Sequence, residues 1–338
     1  MKFLIAGYGS IGRRHLRNLR ALSESGEAPA PEILLLRSHH STIPDDEIAG
    51  LTVETDIQAA LAHHPDAVII SNPTALHMDI GIPAAEMGCA ILIEKPISHS
   101  LERAAALQAA VRRGGARVLV GFQFRFHPTL RRAAALLQSG AIGQPLSVRA
   151  HWGEYLPNWH PWEDYRQGYA ARADLGGGVV LTLSHPFDYL RMLLGDVASL
   201  WAFTAQRGGL GLPVEDTAEI GLCFRGGALG TVHLDYLQQP PAHTLEIIGS
   251  AGTLCWNNAD GALSVYRPDA QEWQVEMPPE GFERNWLFLE EMRNFLAVAR
   301  GEADPACTLE DGVRALEIAI RTLESAADGQ KKVLAEAR

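Results

Sequence analysis

Three groups of residues in this chain have types and spacings suited to chemistry. Gly7-Tyr8-Gly9-Ser10-Ile11-Gly12 follows a short apolar run and precedes a helical pattern. In that context Gly7 permits a tight turn, Gly9 lets backbone approach a pyrophosphate, and Gly12 allows close helix–strand packing. The helix N-terminus then offers free N–H groups and a positive dipole end to the phosphates. Downstream, Glu94-Lys95-Pro96 ends another apolar run. Strand C-termini are where open α/β sheets bind ligands, and an ammonium there can hold a reacting hydroxyl and stabilise alkoxide charge. A solvated surface charge is the competing reading of a lone lysine. Finally, Ser184-His185-Pro186-Phe187-Asp188 opens a helical pattern, with Pro186 suited to the first helical position and Asp188 in the first turn. An imidazole, with an ordinary pKa of roughly 6.5, accepts and returns a proton near neutral pH. A helix N-terminus favours its neutral, basic form. A core histidine hydrogen-bonded at a helix start is the alternative.

The elements that must position these groups read as two domains. Phe3–Ala6, Ile33–Leu36, Ala67–Ile70, Ala90–Ile93 and Val118–Val120 are apolar runs predicted as strands. They alternate with helical patterns carrying Ile11, Leu16, Leu19 and Leu22, then Leu76, Ile80, Ala84 and Met87, then Leu101 to Arg113. Such alternation predicts βαβ units and a parallel sheet. Beyond Phe122 the pattern changes. Helices are predicted over Thr129–Gln138, from His185 to a stop at Gly195, over Arg284–Arg300 and over Leu309–Ala327. From Leu200 to Val275 strand-like segments are joined by short turns, which implies a mostly antiparallel sheet. The predicted fold is α/β: a Rossmann doubly wound parallel sheet over residues 1–122, then an α+β domain with a large, mostly antiparallel open sheet over residues 123–338. The length of 338 residues exceeds what one core usually supports, which agrees with two domains.

Composition narrows the function classes. A hydrophobic fraction of 47% is ordinary for a globular protein. A net charge of −11 argues against a surface driven by phosphate contacts to nucleic acid. Cys89, Cys223, Cys255 and Cys307 lie far apart with no C-x-x-C pair, so a reducing compartment is expected. The N-terminal apolar run is too short for a signal peptide, and no stretch has membrane-spanning length. The expectation is a soluble, cytoplasmic protein that acts on a small molecule. His39-His40 and His63-His64 lack matched ligand spacing and read as surface residues, and no catalytic metal is predicted.

The second strand ends Leu36-Arg37-Ser38-His39, without the carboxylate that usually binds the ribose of NAD. Arg37, supported by Ser38, suits a 2′-phosphate, so NADP(H) is expected over NAD(H). A surface arginine stacked on adenine is the competing reading.

Several segments match one family in order. Residues 1–12, Ser71-Asn72-Pro73-Thr74-Ala75-Leu76-His77, Glu94-Lys95-Pro96, Gly121 to Pro128, and Gly176-Gly177-Gly178 to Asp188 resemble the Gfo/Idh/MocA family. That family includes glucose–fructose oxidoreductase and inositol dehydrogenase. The resemblance implies that Lys95 lies beside the nicotinamide and the reacting hydroxyl, with Glu94 and Pro96 positioning the strand end. It implies that Ser71, Asn72, Pro73, Thr74, His77 and Gln123 border the cofactor, and that His185 is the general acid/base. It further implies a homodimer or homotetramer assembled through the C-terminal sheet. One departure stands out. Many members carry an aspartate where this chain has Thr182, so either His185 works with Lys95 alone, or Asp174 or Asp188 assists. Asp188 reads as an ordinary first-turn carboxylate.

Between His151 and Arg172 lie Trp152, Trp159 and Trp162 with Tyr155, Tyr165 and Tyr169, interspersed with His160, Glu163, Asp164 and Arg166. In an irregular segment such residues can present aromatic faces and polar tips to a sugar. A dimer-interface loop has the same composition. Arg166 and Arg172 could clamp a carboxylate or diphosphate, with Arg125 and Thr182 in the same pocket. The resulting expectation is hydride transfer between NAD(P) and a secondary alcohol or ketone of a sugar or sugar derivative, acidic or nucleotide-linked forms included. A cofactor- and sugar-responsive regulator on the same scaffold, or a glycosidase using bound NAD, are the alternatives.

Overall fold

Unbroken aliphatic runs are what strands covered on both faces require. Accordingly β1 (Lys2–Ala6), β2 (Glu32–Leu36), β4 (Ala67–Ile70), β5 (Ala90–Glu94) and β6 (Val118–Gly121) pair in parallel, and the short β3 (Thr52–Glu54) is added at the edge. The order is β3-β2-β1-β4-β5-β6, so the winding direction reverses between β1 and β4. In such sheets ligands bind outside the strand C-termini at this reversal. The computed structural model describes residues 1–37 and 48–336. Helices α1 (Ser10–Glu24), α2 (Ile57–Ala62), α3 (His77–Glu86) and α4 (Leu101–Gly114) connect these strands. α1 buries Leu16, Leu19 and Leu22 on one face. α4 is capped by the Ser100 side chain, which accepts from Arg103 N, and ends at Gly115 in the left-handed region.

The second unit opens with α5 (Pro128–Gln138) and includes α6 (Val179–Thr182) and α7 (His185–Leu194). Its sheet comprises β7 (Pro145–Gly153), β8 (Val197–Ala205), β9 (Thr217–Phe224), β10 (Leu229–Asp235), β11 (Ala242–Gly249), β12 (Gly252–Asn257), β13 (Leu263–Arg267), β14 (Glu272–Glu276) and β15 (Lys332–Val333). The order is β14-β13-β12-β11-β7-β10-β9-β8-β15, and every pair is antiparallel except β7 with β10. Alternation along these strands buries one face, as in β9, where Ala218, Ile220, Leu222 and Phe224 are buried between more exposed neighbours.

Two departures from the sequence expectation bear on the site. β7 was not anticipated, because its alternation of Ser, Arg and His with small apolar residues carries a weak signal. His151 and Trp152 are therefore strand residues on opposite faces rather than parts of an irregular loop. Domain 123–338 is also interrupted. The compact units are 1–123 with 283–313, and 124–282 with 314–338. The returning segment carries α8 (Arg284–Arg300), which buries Leu287, Phe288, Met292 and Phe295 and packs on α1, β5 and β6. Sequence order alone does not tell which sheet a late amphipathic helix covers. α9 (Leu309–Asp328) begins in this segment and continues into the second unit. All four cysteines are free thiols. Among the described residues no helix is long and apolar enough to cross a membrane.

Candidate active site

The glycine turn after β1 divides its work between packing and access. Gly7 has φ +93°, and a Cβ there would sit 2.5 Å from Asn72 N. A Cβ on Gly12 would lie 2.1 Å from the Gly7 carbonyl oxygen. Gly9 differs: it is exposed, and a Cβ there would meet nothing within 4 Å. Gly9 is also the N-cap of α1, which has no side-chain cap and no acidic residue in its first turn. The first N–H groups of a 15-residue helix thus face an open, glycine-lined space, which fits an anionic pyrophosphate. Tyr8 is buried in this turn, Ser10 is exposed and Ile11 is half-buried.

The neighbouring loops are tied to that turn. The Ser71 hydroxyl lies 3.0 Å from the Ala6 carbonyl and 2.9 Å from that of Gly7, sharing its proton between them. Thr74 is buried in a single helical turn, with Asn72 and Pro73 half-buried before it. His77 is buried at the start of α3, with Nε2 2.8 Å from the Asn72 oxygen and Nδ1 3.3 Å from the Ile97 oxygen. Burial pushes its pKa below 6.5, and a neutral ring has one N–H to donate to these two carbonyls, the shorter contact being the one to Asn72 in the loop after β4. Its side chain is spent on that contact. Arg37 follows β2, half-buried, with its N–H donating to the Glu54 carbonyl at 3.0 Å. Ser38 and His39-His40 lie outside the described residues. Lys95 is half-buried directly after β5, with a cis peptide to Pro96, and Gln123 is buried in a short turn after β6.

Behind Lys95 lies a buried acid cluster. Glu94 Oε1 is 2.8 Å from His15 Nε2 of α1, and a Cβ on Gly121 would come within 3.1 Å of Glu94 Oε2. Glu291 of α8 is fully buried, and neither carboxyl oxygen has a hydrogen-bond partner among the described residues. One ligand atom each from His15, Glu94 and Glu291 lie within 4.8 Å of one another. Burial first, and the Glu94 charge second, hold Glu291 well above the ordinary carboxylate range. Glu291 is therefore a neutral acid, while Glu94 faces His15. Neither His15 nor Glu291 was anticipated. The available signal was their placement on apolar helix stripes, beside Leu16 and Leu19 in α1 and beside Leu287 and Met292 in α8.

A pH-dependent stability follows. Below the ordinary value of 4.5 both the folded and the unfolded chain hold the Glu291 proton. Between that value and the raised folded pKa, only the unfolded chain releases it, so stability falls as pH rises, by at most about 1.4 kcal/mol per pH unit. Glu291→Gln removes this titration. Its stability relative to the parent should rise with pH from about 4.5 upward, read by denaturant unfolding at several pH values. A flat difference across that range excludes the neutral-acid assignment.

In the second unit, His185 is 2% exposed at the first position of α7. Phe124 meets its ring edge-on at 5.0 Å, and Trp152 lies tilted at 5.3 Å. Trp152 in turn stacks flat on His243 at 4.4 Å, and the Tyr189 hydroxyl lies 3.2 Å from His243 Nε2. Burial pushes the His243 pKa down to about 3, with His127 and His151 contributing, and burial raises that of Tyr189. The walls beside His185 are thus neutral aromatics. One turn along α7, Asp188 accepts two-pronged bonds from the Arg125 guanidinium at 2.7–3.1 Å. Arg125 and Asp188 are nearly buried, so the pair neutralises itself and fixes α7 to the turn after β6.

Thr182 ends α6 and is buried beside Tyr236, whose hydroxyl donates to the Ala170 carbonyl at 3.3 Å. Glu215 accepts from Val180 N at 3.1 Å, in the first turn of α6, and a Cβ on Gly178 would lie 2.4 Å from its Oε1. Burial raises the Glu215 pKa. Glu215 was not anticipated; a carboxylate pair, Glu215-Asp216, directly before an alternating strand was the available signal. Asp174 is exposed and paired with Arg172. Glu215 thus touches the helix that carries Thr182.

The aromatic segment is split. Trp159 is half-buried and meets the Tyr236 ring edge-on at 5.6 Å, and Tyr155 and His160 are half-buried. Trp162 is 76% exposed beside His160, and Arg166 lies 4.6 Å over its neighbour Tyr165. The structure brings Trp159 and Thr182 to a common partner, Tyr236. It leaves Trp162, Arg166 and Arg172 on exposed turns.

Residues 1–122 match the model of an oxidoreductase family with an NAD-binding Rossmann fold, and residues 130–255 match the Gfo/Idh/MocA C-terminal domain. The chain is 27% identical over 273 residues to 1,5-anhydro-D-fructose reductase of Ensifer adhaerens, covering 78% of each chain. It is 31% identical over 201 residues to scyllo-inositol 2-dehydrogenase (NAD(+)) of Bacillus subtilis, covering 56% of this chain and 54% of that one. Its fold is similar to levoglucosan dehydrogenase in complex with NADH and levoglucosan, with a TM-score of 0.88 at 22% identity, over 99% of this chain and 100% of that one. The WlbA dehydrogenase of Bordetella pertussis, in complex with NADH and UDP-GlcNAcA, superposes with a TM-score of 0.82 at 22% identity, over 100% of this chain and 99% of that one.

Proposed function

Because the chain belongs to the Gfo/Idh/MocA oxidoreductase family, we propose that it moves a hydride between a nicotinamide cofactor and a secondary carbinol of a sugar or sugar derivative. The observation that carries this reading is the pairing of two features on one parallel sheet: an uncapped α1 behind an open Gly9, and Lys95 at the C-terminal end of β5. When bound, the nicotinamide supplies the hydride acceptor or donor. The chain supplies the rest. The Lys95 ammonium donates a hydrogen bond to the substrate oxygen and stabilises alkoxide charge there. His185 takes the hydroxyl proton during oxidation and returns it during reduction. Neutral walls of Phe124 and Trp152 keep that imidazole in one orientation. Glu215, Thr182, Tyr236 and Trp159 present polar tips and an aromatic face of the kind that suits sugar hydroxyls and C–H surfaces.

Arg37 favours NADP(H) over NAD(H), since its guanidinium suits a 2′-phosphate at the end of β2. Relatives that act on anhydro-sugars and inositols, and a structural neighbour holding UDP-GlcNAcA, support a polyhydroxylated substrate, with acidic and nucleotide-linked forms in range. The chain carries exposed Trp201, Phe203 and Leu229 on strands of its nine-stranded sheet, which supports assembly of two or four copies through that sheet. A cytoplasmic setting agrees with its free cysteines.

The test is spectrophotometric. NADP+ and NAD+ reduction is followed against free sugars, anhydro-sugars, inositols, sugar acids and nucleotide sugars. Turnover with one of these classes, faster with NADP+, is the expected result. Arg37→Ala should lower kcat/KM for NADP+ by about 10- to 100-fold, the worth of a hydrogen bond to a charged group, and spare NAD+. Equal use of both cofactors, unchanged by Arg37→Ala, defeats the NADP assignment. Tight cofactor binding without turnover anywhere in the panel points to a regulator instead.

A further inference from the structure

We propose that His151, His233 and Asp235 form a binding site for a zinc-type divalent transition-metal ion on the nine-stranded sheet. β7 and β10 run parallel and place His151 directly opposite His233, with the imidazoles stacked at 4.6 Å and 23°. Asp235 lies two residues further along β10 and so shares that face. One atom from each of the three lies within 4.8 Å of the others. A tetrahedral ion with bonds of about 2.0–2.2 Å needs separations near ~3.4 Å, which small side-chain rotations supply.

Asp235 and His233 are each held at one end, and the bond between Asp235 Oδ2 and His233 Nε2 is the one that an ion would replace. Asp235 Oδ1 accepts from the N–H groups of Leu237 and Gln238, both at 2.6 Å, and Oδ2 turns to His233 Nε2 at 2.8 Å. His233 Nδ1 is 2.6 Å from Glu219 Oε1, its cross-strand partner on β9. A carboxylate fixing one imidazole nitrogen so that the other faces a metal is the recurrent outer shell of such sites. His151 Nε2 is shielded from solvent and makes no hydrogen bond of ordinary geometry among the described residues, with Gln238 the side chain beside its ring.

The site opens into a groove of about 590 Å³ that also presents Glu219, Glu246 and Asp260. Arg149 in the same groove is paired with Glu246 at 2.9 Å, so the balance of charge attracts a cation. Two imidazoles and one carboxylate suit zinc and its neighbours, whereas magnesium and calcium prefer oxygen alone. With three protein ligands, a fourth position remains for water. The absence of metal-ligand spacing in the sequence is explained by the register: only strand pairing unites residues from β7 and β10. A bound ion would tie those two strands to the turn that follows Asp235.

The full-length protein, stripped with chelator, is titrated with zinc by calorimetry and with cobalt by visible absorption. One saturable site per chain, tetrahedral cobalt bands and a zinc-dependent rise in Tm are expected. His151→Ala should abolish the site with the far-ultraviolet circular dichroism unchanged. Glu219→Gln, which keeps the strand and all three ligands, should weaken zinc binding by about 10- to 100-fold. Absence of saturable 1:1 binding to the parent protein, binding that survives His151→Ala, or equal competition by magnesium each overturns the proposal.

Discussion

His185→Ala should lower turnover by about a hundred- to ten-thousandfold, the usual contribution of a positioned proton-transfer group, while leaving nicotinamide cofactor affinity unchanged. The separation of the two readouts follows from placement. His185 starts α7 in the second unit, whereas the glycine turn, α1 and the loops after β4 and β5 belong to the first. The alanine also leaves a gap beside Phe124 and Trp152, so loss of stability must be measured separately. His185→Gln, nearer in volume, should lose comparable activity at smaller cost in Tm. The decisive measurements are kcat in both directions and cofactor Kd by fluorescence quenching. Turnover within a factor of ten of the parent, in either variant, removes His185 from the proton-transfer role.

Lys95→Met should lower kcat by about 100- to 1,000-fold, with KM for the sugar changing much less. Methionine keeps the apolar stem of lysine but deletes the donor that the proposed role aims at the developing alkoxide, the kind of loss that costs this much in preorganised sites. Interactions made mainly in the transition state appear in kcat rather than KM. Lys95→Arg should not restore activity, because a planar fork cannot put its charge where a compact ammonium sits. If Lys95 and His185 serve the same proton and hydride transfer, their double variant should be no worse than the poorer single variant, since groups that act as a unit are not additive. Additive losses would mean that the two residues act in separate steps.

Much of the first unit was legible because its signals are local. Phe3–Ala6 and Ala67–Ile70 announce themselves as strands by unbroken aliphatic composition, and the glycine spacing announces the turn. His185 at a helix start and the stop at Gly195 were readable from proline and glycine chemistry. Arg284–Arg300 was readable as a helix, but not as a cover for β5 and β6.

What tertiary structure alone decided is partnership. The sequence determined which residues end strands, which open helices, and that Gly9 and Lys95 belong to one Rossmann sheet. It placed Arg125 in a substrate pocket, whereas the fold pairs that charge with Asp188, and it was silent on Glu291, which only packing brings beside Glu94. It was equally silent on His151 and His233, which cross-strand register places face to face. The physical reason is common to all three: propensity and periodicity act over a few residues, whereas ion pairs, acid clusters and strand register join residues that only the folded chain brings within hydrogen-bond distance.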